Sequence, residues 1–391
     1  MAEEPVLPAS DSISERRQVP LRELALFFLR LGTTAFGGPA AHIAIMEDEL
    51  VRRRKWLSRE KFLDLLGASN LIPGPSSSEL AIHIGYLCAG WRGLLIAGGC
   101  FILPAAAMVA ALGWLYVHFG KLPATAGILY GIKPVVIGVV LQALWGLGRT
   151  AVKTTFLGFV AVLSLVLSVL GLHPLLLLLL AGGVACLPHP RPSRLSLCAF
   201  TSVPVGGVSL ALATSFSLSS LFLVFLKMGA IVFGSGYVLL AFLRADLVIH
   251  RGWLTDAQLV DAIAVGQVTP GPVFTTATFL GFILGGTRGA VVATVAIFLP
   301  AFLLVAFSGP LVPRIRQSNT ASAFLDGVNV ASLALMAAVS WQLGRASFVD
   351  VVTVVLAVAS LIALLRFRLN SAWLVLAGAI IGLITNAHHL R

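Results

Sequence analysis

Charge is scarce in this chain. Of its 391 residues only 11% are Asp, Glu, Lys or Arg, against about 25% in an ordinary soluble domain. Apolar residues make up 58% and the mean hydropathy is +0.97. Runs such as Phe156–Leu187 and Val351–Leu365 leave no room for the loops of a soluble fold. No alternating ten-residue pattern supports a membrane β-barrel. The composition therefore predicts an all-α polytopic membrane protein.

Other absences narrow the chemistry. The four cysteines, Cys88, Cys100, Cys186 and Cys198, are scattered and form no C-x-x-C pair, so neither a metal site nor a dithiol is indicated. There is no G-x-x-x-x-G-K-[ST], so this chain is not expected to hydrolyse ATP. G-x-G-x-x-G in a βαβ context, H-E-x-x-H and a carboxylate-rich transferase motif are also missing. No cofactor and no enzymatic activity are expected. Residues 1–20 carry Glu3, Glu4, Asp11 and Glu15 without an apolar core, so no cleaved signal peptide is predicted.

The charges that exist are unbalanced, 27 Lys+Arg against 16 Asp+Glu, or +11. They lie mostly in short loops between apolar segments. That placement suits lipid headgroups and the setting of topology, not a nucleic-acid partner. Attraction of an anionic substrate is the sharper reading.

The sequence aligns with itself. FLRLGTTAFGG at Phe28–Gly38 matches FLKMGAIVFGS at Phe225–Ser235, and an offset of 197 holds through Pro75 and Pro272. Phe28/Phe225, Gly32/Gly229, Arg54/Arg251, Trp56/Trp253 and Asp64/Asp261 are identical pairs. After one dropped residue, Gly85/Gly281, Arg92/Arg288 and Pro104/Pro300 align at 196. Such self-similarity marks an internal repeat. The expected organisation is an N-terminal tail at 1–20, a first repeat at 21–187, a linker region at 188–217 and a second repeat at 218–391.

Each repeat contains Pro-Gly-Pro, at Pro73–Pro75 and Pro270–Pro272. Proline lacks an N–H and ends a helix. The predicted helices on either side (59–72 and 76–90; 257–269 and 273–285) reach only about 21 Å at 14 residues. The hydrocarbon core is about 30 Å, so neither piece spans alone. Read as re-entrant hairpins, they leave five full spans per repeat, and an odd number inverts the second half. Ten spans and two hairpins, with both breaks buried near the midplane and facing each other, are expected. A broken span, six per half and parallel repeats is the alternative. The cluster Arg52, Arg53, Arg54, Lys55, Arg59 and Lys61 claims the cytoplasmic side, as do Arg16, Arg17 and Arg22. Both claims hold only if the first helix fails to span.

A helix that restarts inside the membrane presents backbone N–H groups and the positive end of its dipole. The candidate binding residues for an anion are Pro73, Gly74, Pro75, Ser76 and Ser77 in the first half, and Pro270, Gly271, Pro272, Thr275 and Thr276 in the second. Gly37, Gly38, Gly234 and Ser235 mark further breaks, and Arg30 and Lys227 are matched cations within the first helix of each repeat. Glu79 and His83, four apart on one helix face, suit proton coupling. Glu47, Asp48 and Glu49 read as an interfacial salt-bridge zone. His42 is either a pathway residue or a packed histidine, and Asp64 and Asp261 cap helices or pair with Arg54 and Arg251.

The stretches FGGPAAHIAIMEDELVRRRKWL, FLDLLGASNLIPGPSSSELAIHIGY, AGWRGLLIAGGCFILPA, FGSGYVLLAFLRADLV, QVTPGPVFTTATFLG and FLPAF resemble the chromate ion transporter family in its long, two-domain form. The resemblance covers nearly the whole chain. It implies a multi-pass protein of the bacterial inner membrane that exports chromate, driven by the chemiosmotic gradient, and confers chromate resistance. Sulfate is implied as a related oxyanion, and protons are the expected coupling ion. Where the family pattern reads Pro-Gly-Pro-Asn, this chain has Ser76. An importer or exchanger of sulfate or another oxyanion is the main alternative, ahead of a channel or membrane enzyme. A homodimer is left open.

Overall fold

The computed structural model describes residues 19–120, 122–187, 216–232, 238–308, 318–367, 369 and 371–389. The N-terminal tail and most of the expected linker, with Cys198, lie outside these. Among the described residues the chain is helical throughout, with no strand.

The first repeat opens with α1 (Leu21–Thr34), which stops at Ala35. It restarts as α2 (Gly38–Met46), which runs into a wide π-helical turn at Glu47–Arg53. Fourteen residues of α1 fall short of the bilayer core. α3 (Arg59–Ser69) starts on the Ser58 side chain, which accepts from the Lys61 N–H. The chain then breaks at Pro-Gly-Pro and enters α4 (Ser76–Phe119). α5 (Pro123–Ala151), α6 (Thr155–Val169) and α7 (Pro174–Ala185) complete the repeat.

The second repeat reproduces this order. α8 (Leu218–Ile231) is followed by α9 (Leu239–Leu243), a π-helical turn at Arg244–His250, and α10 (Asp256–Val268), which opens with a Thr255/Gln258 capping box. A 3₁₀ turn at Val273–Thr275 leads into α11 (Thr276–Ser308). α12 (Asn319–Ser347), α13 (Val351–Phe367) and α14 (Ser371–His389) follow.

α4 and α11 are each folded back on themselves. Backbone angles leave the helical region at Ala89–Gly90 and at Gly285–Gly286, with φ near +60° at Gly90 and Gly286. In a straight helix, residues eight apart lie about 12 Å apart. Here Gly85 packs on the Gly93 carbonyl and Gly281 on that of Gly289. Further along, the Thr278 and Thr294 hydroxyls meet at 2.7 Å. Each helix is thus a short first arm (76–88; 276–284) laid antiparallel on a long second arm (91–119; 287–308).

The long arms set the relation between the repeats. Gly98 of α4 packs on the Phe302 ring, while Gly113, a further four turns along, packs on Phe282 near the reversal of α11. As α4 advances, its partner recedes. Equivalent helices are antiparallel, so the pseudo-two-fold axis lies across them, which is the geometry of inverted repeats.

Four described helices are long and apolar enough to cross a membrane: Ser76–Phe119, Thr125–Ala151, Val273–Phe307 and Thr320–Ser347. The remaining apolar helices, among them α6, α7, α8 and α13, are shorter. The expected ten full spans are therefore not met among the described residues. α1, α6 and α7, expected to be full spans, run for only 14, 15 and 12 residues.

Packing separates two helical units. α1, α4, α8 and α11 form a core: Gly32 of α1 lies against the Phe101 carbonyl of α4, and Gly229 of α8 against the equivalent Ile297 carbonyl of α11. α5–α7 and α12–α14 form an outer unit with its own two-fold character. Gly131 of α5 packs on Gly378 of α14, and its equivalent Gly327 of α12 packs on Ala181 of α7. At the rim, Tyr130 donates to Asp350 and Lys153 pairs with Asp326 at 2.7 Å, a second reciprocal set.

Candidate functional site

Both Pro-Gly-Pro breaks are buried, and each is completed by the opposite repeat. The Gly74 N–H donates to the Val232 carbonyl at 2.7 Å, where the first helix of the second repeat ends. The Gly271 N–H donates to the Ala35 carbonyl at 3.0 Å, where the first helix of the first repeat ends. A buried amide without a partner costs about 1–3 kcal/mol, so each half closes the other's broken helix. Gly74 (φ +139°) and Gly271 (φ +93°) hold backbone conformations that favour glycine. Gly74 lies near Ala301 of α11 and Gly271 near Ala105 of α4. Ala105 is the middle residue of the arm 91–119, so the crossed breaks sit at the helix midpoint.

The two half-sites are not alike. In the first, Ser76, Ser77, Ser78 and Glu79 form the first turn of α4 and all are buried. The Ser77 hydroxyl meets Nδ1 of His42 at 3.3 Å. Among the described residues, the Ser78 hydroxyl and both Glu79 carboxyl oxygens have no hydrogen-bond partner. The Glu79 side chain turns back on Gly74, so closely that a Cβ there would strike its carboxyl. Glu79 is 0% exposed. In the second half-site, Thr275 donates to the Pro272 carbonyl and Thr276 to the Val273 carbonyl, each at 2.8 Å. A hydroxyl has one hydrogen, and here each is directed to a carbonyl of its own turn.

His42, open between two readings in the sequence, is fully buried at the centre of this arrangement. Its Nε2 lies 3.1 Å from the Ala35 carbonyl, the same oxygen that accepts from Gly271. Spacing gave only a weak hint of this, because the contact with Ser77 closes over 35 residues. His83 Nδ1 is 3.1 Å from the backbone carbonyl of Glu79, so the expected face-sharing pair is joined through the main chain. Gly37 and Gly38, both at positive φ, form the break between α1 and α2. Gly234 and Ser235 lie outside the described residues.

The matched cations also diverge. Arg30 is exposed and lines a cavity of about 410 Å³ with Thr34, Asp48, Glu49 and Arg53. Lys227 instead pairs with Asp246 at 2.7 Å. The equivalent of Asp246 is Glu49, which is held by Arg54 at 3.2 Å and Arg53 at 3.8 Å. Lys227 is thus a compensated charge and not a counterpart of Arg30. Removing it strands Asp246. Lys227→Met is expected to lower membrane abundance several-fold and Lys227→Met/Asp246→Asn to restore most of it, read by quantitative blotting; equal losses in both would deny the pair a stabilising role.

The salt-bridge zone at Glu47–Glu49 is present, and Arg54 and Arg251 stack on Trp56 and Trp253. Asp261 does not pair with Arg251. It binds Lys133 of α5 at 2.9 Å and accepts from the Tyr116 hydroxyl at 2.8 Å. Lys133 carried no signal in the sequence, since its partner lies in the other repeat.

A family model described as chromate transporter matches residues 22–187 and again 219–383. A chromate transport protein of Cupriavidus metallidurans is 34% identical over 97% of both chains. A probable chromate transport protein of Synechococcus elongatus is 32% identical over 93% of this chain and 95% of its own. A chromate transport protein of Pseudomonas aeruginosa is 32% identical, covering 86% and 85%. No solved structure matches. With one family domain on each inverted half and a buried break in each, this membrane protein belongs to the chromate transporter family.

Proposed function

We propose that this chain is a secondary active transporter that exports chromate across the bacterial inner membrane, driven by the chemiosmotic gradient, and thereby confers chromate resistance. The observation that carries this reading is the pair of helix breaks crossed at the centre of an inverted repeat, in a chain of this family. Such breaks are where transporters of inverted design hold their substrates. Chromate is a tetrahedral dianion, and it suits backbone N–H donors and helix N-termini with little free volume. Sulfate has the same shape and charge and is the natural competitor.

In this reading Pro73–Ser77 and Pro270–Pro272 surround the anion. Arg30, in its open cavity, attracts it, and Glu79 with His83 handles the coupled proton. Ion and carboxylate would share one set of donors. Protonation of Glu79 removes their repulsion, so anion and proton bind together and cross in the same direction; the pair keeps a net negative charge, and export then draws on the inside-negative membrane potential.

Everted membrane vesicles loaded by external labelled chromate test this. Uptake should require an imposed proton gradient and fall when sulfate is added in excess. Flux that ignores the gradient would favour a channel, and chemical conversion of the label would favour an enzyme.

A further inference from the structure

The core and the outer unit each have two-fold character, yet they are joined asymmetrically. On the second repeat, α10 packs on α5, α12 and α14, and α9 packs on α12. On the first repeat, α3 packs on α4 and on the Glu47–Arg53 turn, and α2 packs on that turn and α4. The apolar interior divides the same way. One cluster joins the outer unit to the helices of the second repeat and reaches Ile102 and Val109 of α4; a second is built from the first repeat alone, from Val19 to Phe101, and holds no residue of the outer unit.

Equivalent residues show the difference. Leu63 of α3 is 46% exposed, and its counterpart Val260 of α10 is 2% exposed. Asp64 is exposed, whereas Asp261 is buried against Lys133 and Tyr116. Tyr116 in turn packs on Phe279, at 5.3 Å between ring centroids, in the arm that follows the second Pro-Gly-Pro. The Lys133–Asp261 pair therefore ties the outer unit to the helix that leads into the second break.

We infer that Lys133–Asp261 is a conformational lock, and that in a second state of similar energy the outer unit leaves α10 and packs on α3. The repeat supplies the reason. Every helix that now covers α10 has an equivalent able to cover α3: α12 for α5, α5 for α12 and α7 for α14. In that state Asn329 takes the place of Lys133 and faces Asp64. The ion pair is then absent, so the lock acts in one state only. Exchanging the covered half would open the crossed breaks to one side and then the other, which is the movement that transport requires. The inference uses the transport reading for its purpose, but its test does not depend on it.

Two cysteine pairs are built separately in the full-length protein: Lys133→Cys/Asp261→Cys and Asp64→Cys/Asn329→Cys. A short bifunctional thiol reagent is applied in membranes, and the linked peptides are mapped by mass spectrometry, which distinguishes them from native cysteines. Both pairs should link. Adding Lys133→Met/Asp261→Asn, which removes the lock without leaving a lone buried charge, should raise the Asp64–Asn329 link by about tenfold, because the state that loses the ion pair is the one disfavoured. Absence of the Asp64–Asn329 link in both backgrounds would overturn the inference. So would chromate flux at the normal rate through protein fully linked at 133–261. If chromate is not transported at all, the two links still report the exchange.

Discussion

Glu79→Gln is expected to abolish the response of chromate flux to a pH gradient while leaving chromate binding in place. Glu79 is buried, without a partner among the described residues, and turned onto Gly74 of the first break. Glutamine keeps the shape and an oxygen but takes up no proton. One pH unit supplies about 1.36 kcal/mol for each coupled proton, or roughly tenfold accumulation. Vesicles with the normal chain should reach about that ratio when the outside is one pH unit more acidic than the inside, and Glu79→Gln vesicles should stay near unity. Binding is read separately, as protection of the purified protein against thermal unfolding by chromate. The variant removes a buried unpaired acid, so it should fold at least as well as the parent. An unchanged gradient response would assign Glu79 to the start of α4 and leave the coupling group elsewhere. The second repeat makes this test sharp, because Thr276 at the matched position has its hydroxyl committed to Val273 and takes no proton.

The second large effect is structural. Gly85→Val is expected to prevent stable folding. The two arms of α4 meet backbone to backbone, and a Cβ at Gly85 would overlap the Gly93 carbonyl. Backbone cannot move aside as a side chain can, so the cost is about 3 kcal/mol or more. Loss of the arm contact would also displace Ser76–Glu79 from the crossed breaks. Gly148→Ala is the control, since nothing lies within 4 Å of a Cβ there. That change should be neutral or stabilising by up to about 1 kcal/mol through helix propensity. Abundance in membranes and the unfolding midpoint in detergent measure both. A well-folded Gly85→Val protein would mean that the chain at Ala89–Gly90 does not double back.

The sequence pieces 76–90 and 273–285 end where the chain turns, at Ala89–Gly90 and Gly285–Gly286. What the sequence did not report is the contact that follows, Gly85 on Gly93 and Gly281 on Gly289, which lays each short arm back on the long one. Lys227 and Asp261 show the same limit for charge. Their sequence positions match Arg30 and Asp64, but their partners Asp246 and Lys133 were chosen by packing.

What the sequence determined by itself was local or periodic. The 58% apolar content required helices in a membrane, the 197-residue register required two like halves, and Pro-Gly-Pro required a broken helix in each. These follow from solvation, from duplication and from the missing proline N–H, none of which needs a distant partner. Only the tertiary structure decided that Gly74 binds Val232 while Gly271 binds Ala35, that His42 joins the Ala35 carbonyl to Ser77, and that the outer helices cover α10 and not α3. A repeat makes the two halves equivalent in sequence. Placing one outer unit against one of two like surfaces breaks that equivalence, because it can cover only one of them at a time.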